Sequence, residues 1–587
     1  MKLAMCVCVL FLVAMVETQE ARAQSFRVQC PTATVTHPTA VTSVQGEPAY
    51  NGPTQFTTGS AGYVTPSTNA NGAIKCQQIS GGDGYSTMAD GTQTYMFSFG
   101  PLSGLADIAA GRPGTEFPNV FNTVYSGALL RGDPATTDGA TNGASPGTLG
   151  AFGYNGAVGL NPDLDAIASG SCTTPCLDGH VDPRQIIDVG VMNGNIPAPL
   201  IAFDEDDEFF LTLTNVGMIM RPDLFEQHTV HFHGYPNASS FYDGVPDASV
   251  AINIGGSFTY YYLAPDAGTY FWHCHITPPE HLQMGMVGQL YVRPRQDRVP
   301  SGGDLYTYLG YQNGTAEPNG VVADPRTACN PAADILCSAY TPAINTGVTR
   351  AAAGSLCSNL ALTTSGLTPN YVYNDGDGST CYDVEYPIQM HGFDPNFHFV
   401  GMTFNPEMFV DMKDKYFLLN GRSYPDTVGQ TGGQTTGTIA PPGPQATVSS
   451  DGQMHYSQPL PAIINIPVGG KAALRLVNLS VAEYFTLQTL GVPMHVVGWN
   501  AKLLRDQAGN NTEYWANSIT LGGGESNDVI LDASDTNTFK AGQVYYLYEP
   551  DLDRLSNDAE NFGGMMTEVH ICTSVTGGST FGNTCNN

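Results

Sequence analysis

Apolar and polar residues alternate over short runs along most of this chain, and a period of two is the signature of strands with one buried face. Thr94 to Gly100 (TYMFSFG) is the first clear run. IIDVGVMNGNIPAPLIAF and EFFLTLTNVG follow from Ile186 and Glu208, with the turn-rich stretch Met192 to Pro199 between strand-like pieces. Further on, LYTYLGYQN, DKYFLLNGRSYPDT, INIPVGG, KAALRLVNLS, FTLQTLG and MHVVGW repeat the pattern at regular spacing. Long amphipathic helical patterns are nearly absent. Many short strands separated by turns predict an all-β chain of tandem Greek-key β-sandwiches.

Interruptions in the pattern divide the chain. Residues 24–92 are rich in Thr, Ser, Gly and Asn and read as an irregular N-terminal extension, with room for a few strands. A first sandwich is expected over 93–297, carrying a glycine-rich surface insertion at about 102–181. A second is expected over 304–572, interrupted by a cysteine-bearing insertion near Cys329 to Cys381 and by a loop near Val428 to Asp451. A small polar tail, 573–587, closes the chain. With 587 residues, more than one core is needed.

Composition adds a compartment and removes a class of partner. Lys2, the apolar run Leu3 to Val16 and Ala21-Arg22-Ala23 have the layout of a cleavable secretory signal over 1–23, so the mature chain is expected to be secreted or periplasmic. That run is short for a membrane span, and no later stretch approaches one. The 53 acids against 22 bases give a net charge of −31, which argues against a nucleic-acid partner and leans slightly towards cations. Cys6 and Cys8 would leave with the signal. Setting Cys274 aside leaves Cys30, Cys76, Cys172, Cys176, Cys329, Cys337, Cys357, Cys381, Cys572 and Cys585, an even set that suits disulfide staples, with five bridges as an upper bound and connectivity open.

Candidate chemistry is concentrated between Gln227 and Tyr291, where six of the 13 histidines lie. HTVHFHG places His228, His231 and His233 at i, i+3 and i+5, and GTYFWHCHITPPEHLQMGM places His273, Cys274, His275, His281 and Met286. On a strand, His231 and His233 share a face and His228 lies opposite; His273 and His275 share a face and Cys274 lies opposite. Cys274 is thus expected to meet His228 inside the sandwich. His281 and Met286, on a loop or strand start, complete a plane of two imidazoles and a thiolate with a weak axial thioether. That mixture suits copper, in the blue electron-transfer geometry. Met284 and Trp272 read as packing residues, Asp243 and Asp247 as loop-forming acids, and Asp204 to Glu208 as a solvated turn.

These motifs resemble those of the multicopper oxidase and cupredoxin superfamily. HTVHFHG is similar to the family's H-x-x-H-x-H-G, and HCHITPPEHLQMGM to its H-C-H-x-x-x-H-x-x-x-G-M with two extra residues between His275 and His281. NGNIPAPLIAF, FYDGVP and GTYFWH also resemble its copper domain, and FLLNGRSYPDT its copper-free linking domain. The resemblance implies that both sandwiches are cupredoxin-like, and it makes His228, Cys274, His281 and Met286 type 1 copper ligands. It assigns His231 to type 2 copper and His233, His273 and His275 to the type 3 pair. Electrons from a phenolic or metal-ion donor would pass through Cys274 to His273 and His275, the catalytic segment, and on to dioxygen.

One departure matters. A complete trinuclear cluster in that family takes eight histidines from two half-sites, and this chain offers four. His391, His398, His455, His495 and His570 are scattered and read as structural or surface histidines, with Val492-Pro-Met-His495-Val where a second motif would stand. Two resolutions follow: a homo-oligomer in which two chains share one cluster, or a mononuclear blue-copper electron carrier or copper-binding protein. Copper-type nitrite reductases fit less well, because His231 stands where their motif has an aspartate.

Overall fold

The structure is a computed structural model that describes residues 74–101, 196–306, 351–352, 370–428, 446–448, 454–456 and 461–587, apart from short stretches within these ranges. The expected signal, most of the N-terminal extension with Cys30, the insertion at 102–181 with Cys172 and Cys176, and Cys329, Cys337 and Cys357 lie outside the described residues.

The first sandwich comprises β1 (Ile74–Thr87), β2 (Gln93–Pro101), β3 (Ile201–Asp204), β4 (Glu208–Gly217), β5 (His231–His233), β6 (Ser257–Leu263), β7 (Gly268–His273) and β8 (Val287–Arg293). One sheet runs β2-β1-β4-β6 and the other β3-β8-β7-β5. Strand alternation builds the core: Phe209, Leu211 and Leu213 of β4 and Phe258, Tyr260 and Tyr262 of β6 face Ile201, Phe203, Phe232, Tyr270, Trp272, Leu290 and Val292. Phe210 and Tyr261, between them, pack together on the opposite face.

β1 lies within the stretch read as an extension, yet it is an inner strand of this sandwich, parallel to β4 and antiparallel to β2. Its middle, Ser80-Gly-Gly-Asp-Gly84, lacks apolar side chains, so no period of two announces it. The supposed solvated turn also differs, because Asp204, Glu205, Asp207 and Glu208 are buried. Asp207 Oδ2 accepts from the Asp204 amide at 2.7 Å, Glu205 accepts from the Arg295 amide at 2.7 Å, and Glu208 accepts from Tyr261 at 2.7 Å. Met284 and Trp272 are core residues.

The second sandwich holds β9 (Asn370–Tyr371), β10 (Cys381–Tyr382), β11 (Val384–Phe393), β12 (Tyr416–Leu419), β13 (Ala446–Val448), β14 (Met454–Tyr456), β15 (Ile464–Pro467), β16 (Lys471–Asn478), β17 (Phe485–Leu490), β18 (Met494–Trp499), β19 (Lys502–Leu503), β20 (Tyr514–Ala516), β21 (Ser518–Leu521), β22 (Ser526–Asp532), β23 (Val544–Tyr548), β24 (Met566–Cys572), β25 (Ser574–Thr576) and β26 (Thr584–Asn586). Its main sheets run β12-β11-β16-β22-β18-β19 and β15-β24-β23-β17-β21, enclosing one apolar core. Cys572 and Cys585 form a disulfide, and the tail folds back as the hairpin β25–β26. Cys381 is disulfide-bonded too.

The two sandwiches meet on the outer face of β7 and β8. Gln289 donates its amide to Gln389 Oε1 at 2.9 Å and its Nε2 to the Arg475 carbonyl at 2.6 Å. Arg293 Nε donates to Glu385 Oε1 at 2.6 Å, and Arg475 lies 3.4 Å from the other Glu385 oxygen and 3.2 Å from Asp528. All four of these charged residues are buried. Thr269, Phe271 and His273 alternate along this same face of β7, so the face that docks the second sandwich ends at a histidine.

Candidate metal centre

The two histidine motifs are brought side by side by β5 and β7, which pair antiparallel with His231 opposite His273 and His233 opposite Phe271. His228 lies just before β5, in a bridge with Ile252, and points to the other side. Cys274 directly follows β7, and its amide donates to the Met286 carbonyl at 3.0 Å. His281 sits not on a loop or strand start but in the six-residue helix Pro278–Gln283, with Met286 immediately before β8. Pro at the first helical positions explains the change, since its fixed φ is suited to a first turn.

Inside the sandwich, ligand atoms of His228, Cys274 and His281 all lie within 4.8 Å of one another. These three residues and Met286 are fully buried. His281 Nδ1 is 3.2 Å from Cys274 Sγ, and the Thr229 amide donates to the same sulfur at 3.4 Å. Neither ring nitrogen of His228 has a hydrogen-bond partner. Burying such a group without a partner is costly, and a metal ion would relieve that cost. Gly81 of β1 lies against this imidazole, and a Cβ there would come within 2.7 Å of His228 Cδ2. Phe97 closes the other side with its ring edge-on to His281 at 5.2 Å.

Electrostatics fit a cation at this place. Burial pushes the Cys274 thiol up, but His281 beside it more than offsets this and lowers it. Burial pulls His281 down, yet Cys274 and Glu226 hold it at about 9. Glu226, half-buried, places a carboxylate oxygen 3.7 Å from His281 Nε2. Burial holds His228 well below the usual imidazole range, so it is neutral with a lone pair to offer.

On the opposite face, ligand atoms of His231, His233 and His273 lie within 4.8 Å of one another. The His275 ring is 5.1 Å from that of His231 and 5.5 Å from that of His273. His231 Nδ1 donates to the Asp243 carbonyl and His273 Nδ1 to the Cys274 carbonyl, both at 2.7 Å, which leaves Nε2 of each as the lone-pair atom. Burial lowers His231 and His233 and takes His273 to about 3, so these rings are also neutral. The group is partly open, with His273 buried and His233 exposed.

Within the same chain, the second sandwich approaches this face with glycine. A Cβ at Gly524, which has φ +85°, would lie 3.1 Å from the Phe271 ring and 4.0 Å from His233 Nε2. His391, His398, His495 and His570 lie elsewhere. His391 and His398 are buried where the second sandwich meets the first, beside the main chain of Leu282 and Gln283, His495 is stacked on Trp515 and 3.0 Å from Glu513, and His570 is 2.6 Å from Glu568. His455 is on β14. Gly81, Phe97, Glu226 and Asp243 were not legible as site residues. Only FYDGVP, whose Gly244 has φ +82° and no room for a Cβ beside Val230, hinted that the Asp243 turn is built against the site.

Residues 178–297 match the family model described as multicopper oxidase. A multicopper oxidase of Talaromyces pinophilus is 34% identical over 112 residues, 19% of this chain and 17% of that protein. Laccase-1 of Emericella nidulans is 34% identical over 123 residues, 20% of this chain and 18% of that protein. The chain thus spans less than a fifth of the length of these curated relatives. Among solved structures, a blue copper oxidase of Nitrosomonas europaea is 15% identical and covers 85% of this chain and 86% of its own, with a TM-score of 0.42.

Proposed function

We propose, taking residues 178–297 as a multicopper oxidase domain whose metal is copper, that the chain oxidises a one-electron donor and passes the electrons to dioxygen. His228, Cys274, His281 and Met286 would hold a type 1 ion, and His231, His233, His273 and His275 half of a cluster. Copper, when bound, supplies reversible one-electron chemistry at both places. The observation that carries the reading is that two groups of metal-competent side chains lie on opposite faces of one strand end and share the His273-Cys274-His275 main chain. Covalent bonds therefore join the two donor sets. Cys274 contributes its thiolate on one side and its carbonyl on the other, where it orients His273.

Around His281, Glu226 offers an acidic, half-exposed rim, and Glu280 stands next to it in sequence. A reduced metal ion or a phenol meets the protein there. Burial raises the Glu280 carboxyl, so it holds its proton to higher pH than an exposed glutamate. A secretory signal over residues 1–23, as the sequence reads, together with the Cys572–Cys585 disulfide, supports work outside the cytoplasm. A homo-oligomer in which a second copy supplies the missing imidazoles completes the cluster, since the chain's own second sandwich presents Gly524 there.

That same glycine wall favours a second reading, in which only the type 1 site fills and the protein is a blue-copper carrier. Copper analysis with sedimentation separates the two. A shared cluster gives about five coppers per two chains, and a carrier about one per chain. One copper in a monomer that consumes no oxygen with phenols or ferrous ion rejects the oxidase.

A further inference from the structure

The helix that carries His281 cannot stand by itself. It has six residues, and its N-cap Thr277 is left-handed at φ 37° and makes no side-chain capping bond. A single turn or two of helix is unstable in water without tertiary support. The support at its far end comes from the second sandwich. Gln283, buried between His281 and Met286 in sequence, donates Nε2 to Asp414 Oδ1 at 3.3 Å, and Ser480 Oγ donates to Asp414 Oδ2 at 3.4 Å. Gly392 leaves Asp414 its place, because a Cβ there would come within 2.9 Å of the Asp414 Cγ.

A second tie reaches the other wall of the same ligand. His398, fully buried on the helix Pro395–Met402, donates Nδ1 to the Tyr95 carbonyl at 2.6 Å. Tyr95 is two residues from Phe97 on β2, and Phe97 is the ring set edge-on to His281. Phe397, next to His398, is buried in the core of the first sandwich, and Met412, near Asp414, packs against it. Both ties therefore issue from the connection between β11 and β12.

We propose that the second sandwich positions the type 1 ligands of the first: Asp414 fixes Gln283 between His281 and Met286, and His398 fixes the β2 main chain that sets Phe97 against His281. This rests on the type 1 reading given above, and makes Asp414 and His398 positioning residues. Neither touches a ligand atom. Groups facing Asp414 are Gln283 from the first sandwich, Ser480 and Glu483 from the segment after β16, and Asp394 at the start of the connection.

The test uses the full chain, metal-free and copper-loaded, with Asp414→Ala, Asp414→Asn and His398→Phe. Amide hydrogen exchange of residues 279–286 in the metal-free chain is expected to rise about tenfold in Asp414→Ala, and to stay near the original rate in Asp414→Asn, which keeps an acceptor oxygen for Gln283. In the copper-loaded chain, the thiolate-to-copper absorption and the reduction potential shift in Asp414→Ala and in His398→Phe, and Asp414→Asn restores them. Unchanged exchange, absorption and potential in both Asp414→Ala and His398→Phe overturn the proposal. If the original chain takes up copper without a blue absorption, the type 1 reading fails instead, and the metal-free exchange rates alone decide the positioning role: unchanged rates in Asp414→Ala reject it.

Discussion

At the scale of single residues, the arrangement turns on Cys274 and His228. The thiol is buried with an imidazole nitrogen 3.2 Å away, and the opposing imidazole has no protein partner at either nitrogen. Replacing Cys274 by Ser keeps the volume and removes the thiolate, so the blue absorption is expected to vanish while far-UV circular dichroism stays unchanged; a retained colour refutes Cys274 as the ligand. Gly81→Val tests the floor of the site. A side chain there must displace His228 or bend β1, at a cost of about 1–3 kcal/mol. If the imidazole takes that strain, copper affinity falls by about tenfold to a hundredfold in a chelator competition, whereas an unchanged affinity shows that β1 yields instead.

At the scale of elements, β7 does two jobs with one alternation. Its even positions, Tyr270 and Trp272, fill the core, while Thr269, Phe271 and His273 face the second sandwich. The β11–β12 connection reaches back from that sandwich and carries a titrating group to the join. Burial pushes the Asp414 carboxyl up to about 7, against about 3.9 for an unfolded aspartate. Between roughly pH 4 and 7 the folded chain therefore binds a proton at this site that the unfolded chain has lost. The Asp414 contribution to stability is full below that window and declines as pH rises through it. Burial takes His391 to about 3 and His398 to about 4, and these work in the opposite sense, losing stability as pH falls below about 6.5. Asp414→Asn should remove the first effect and leave the second, so the variant gains stability relative to the original chain as pH is raised from about 5 to 8 in urea titrations. Equal pH profiles contradict the assignment.

For the whole molecule, the two sandwiches are joined by buried charge rather than by apolar contact alone. Arg293 of the first lies against Glu385 of the second, and Arg475 bridges Glu385 and Asp528. Burial pushes Glu385 up, but the two guanidinium groups beside it more than offset this and hold it below the usual range. Removing one member leaves an uncompensated charge, so Arg293→Met is expected to destabilise the chain by about 3–5 kcal/mol. A change under about 1 kcal/mol in denaturant unfolding would show that the network contributes little. Among the described residues, no helix is long and apolar enough to cross a membrane.

Residue order alone was enough to specify the all-β class and the opposed faces of the two histidine motifs, because strand alternation is a local property. In HTVHFHG and HCH it puts His231, His233, His273 and His275 on one side and His228 and Cys274 on the other before any fold is known. It was blind to groups that come from far along the chain or that lack apolar side chains. Gly81 sits in a strand with no period of two, Glu226 and Asp243 look like ordinary acids, and Asp414 and His398 lie more than a hundred residues from His281 and Met286. Asp204 to Glu208 misled for a related reason: acids read as solvated until Arg295, Tyr261 and main-chain amides are brought to them by folding. Tertiary structure decided that the second sandwich meets the histidine face with Gly524 and grips the helix that carries His281 through Asp414. Such contacts depend on how two cores pack together, and short-range alternation carries no information about that.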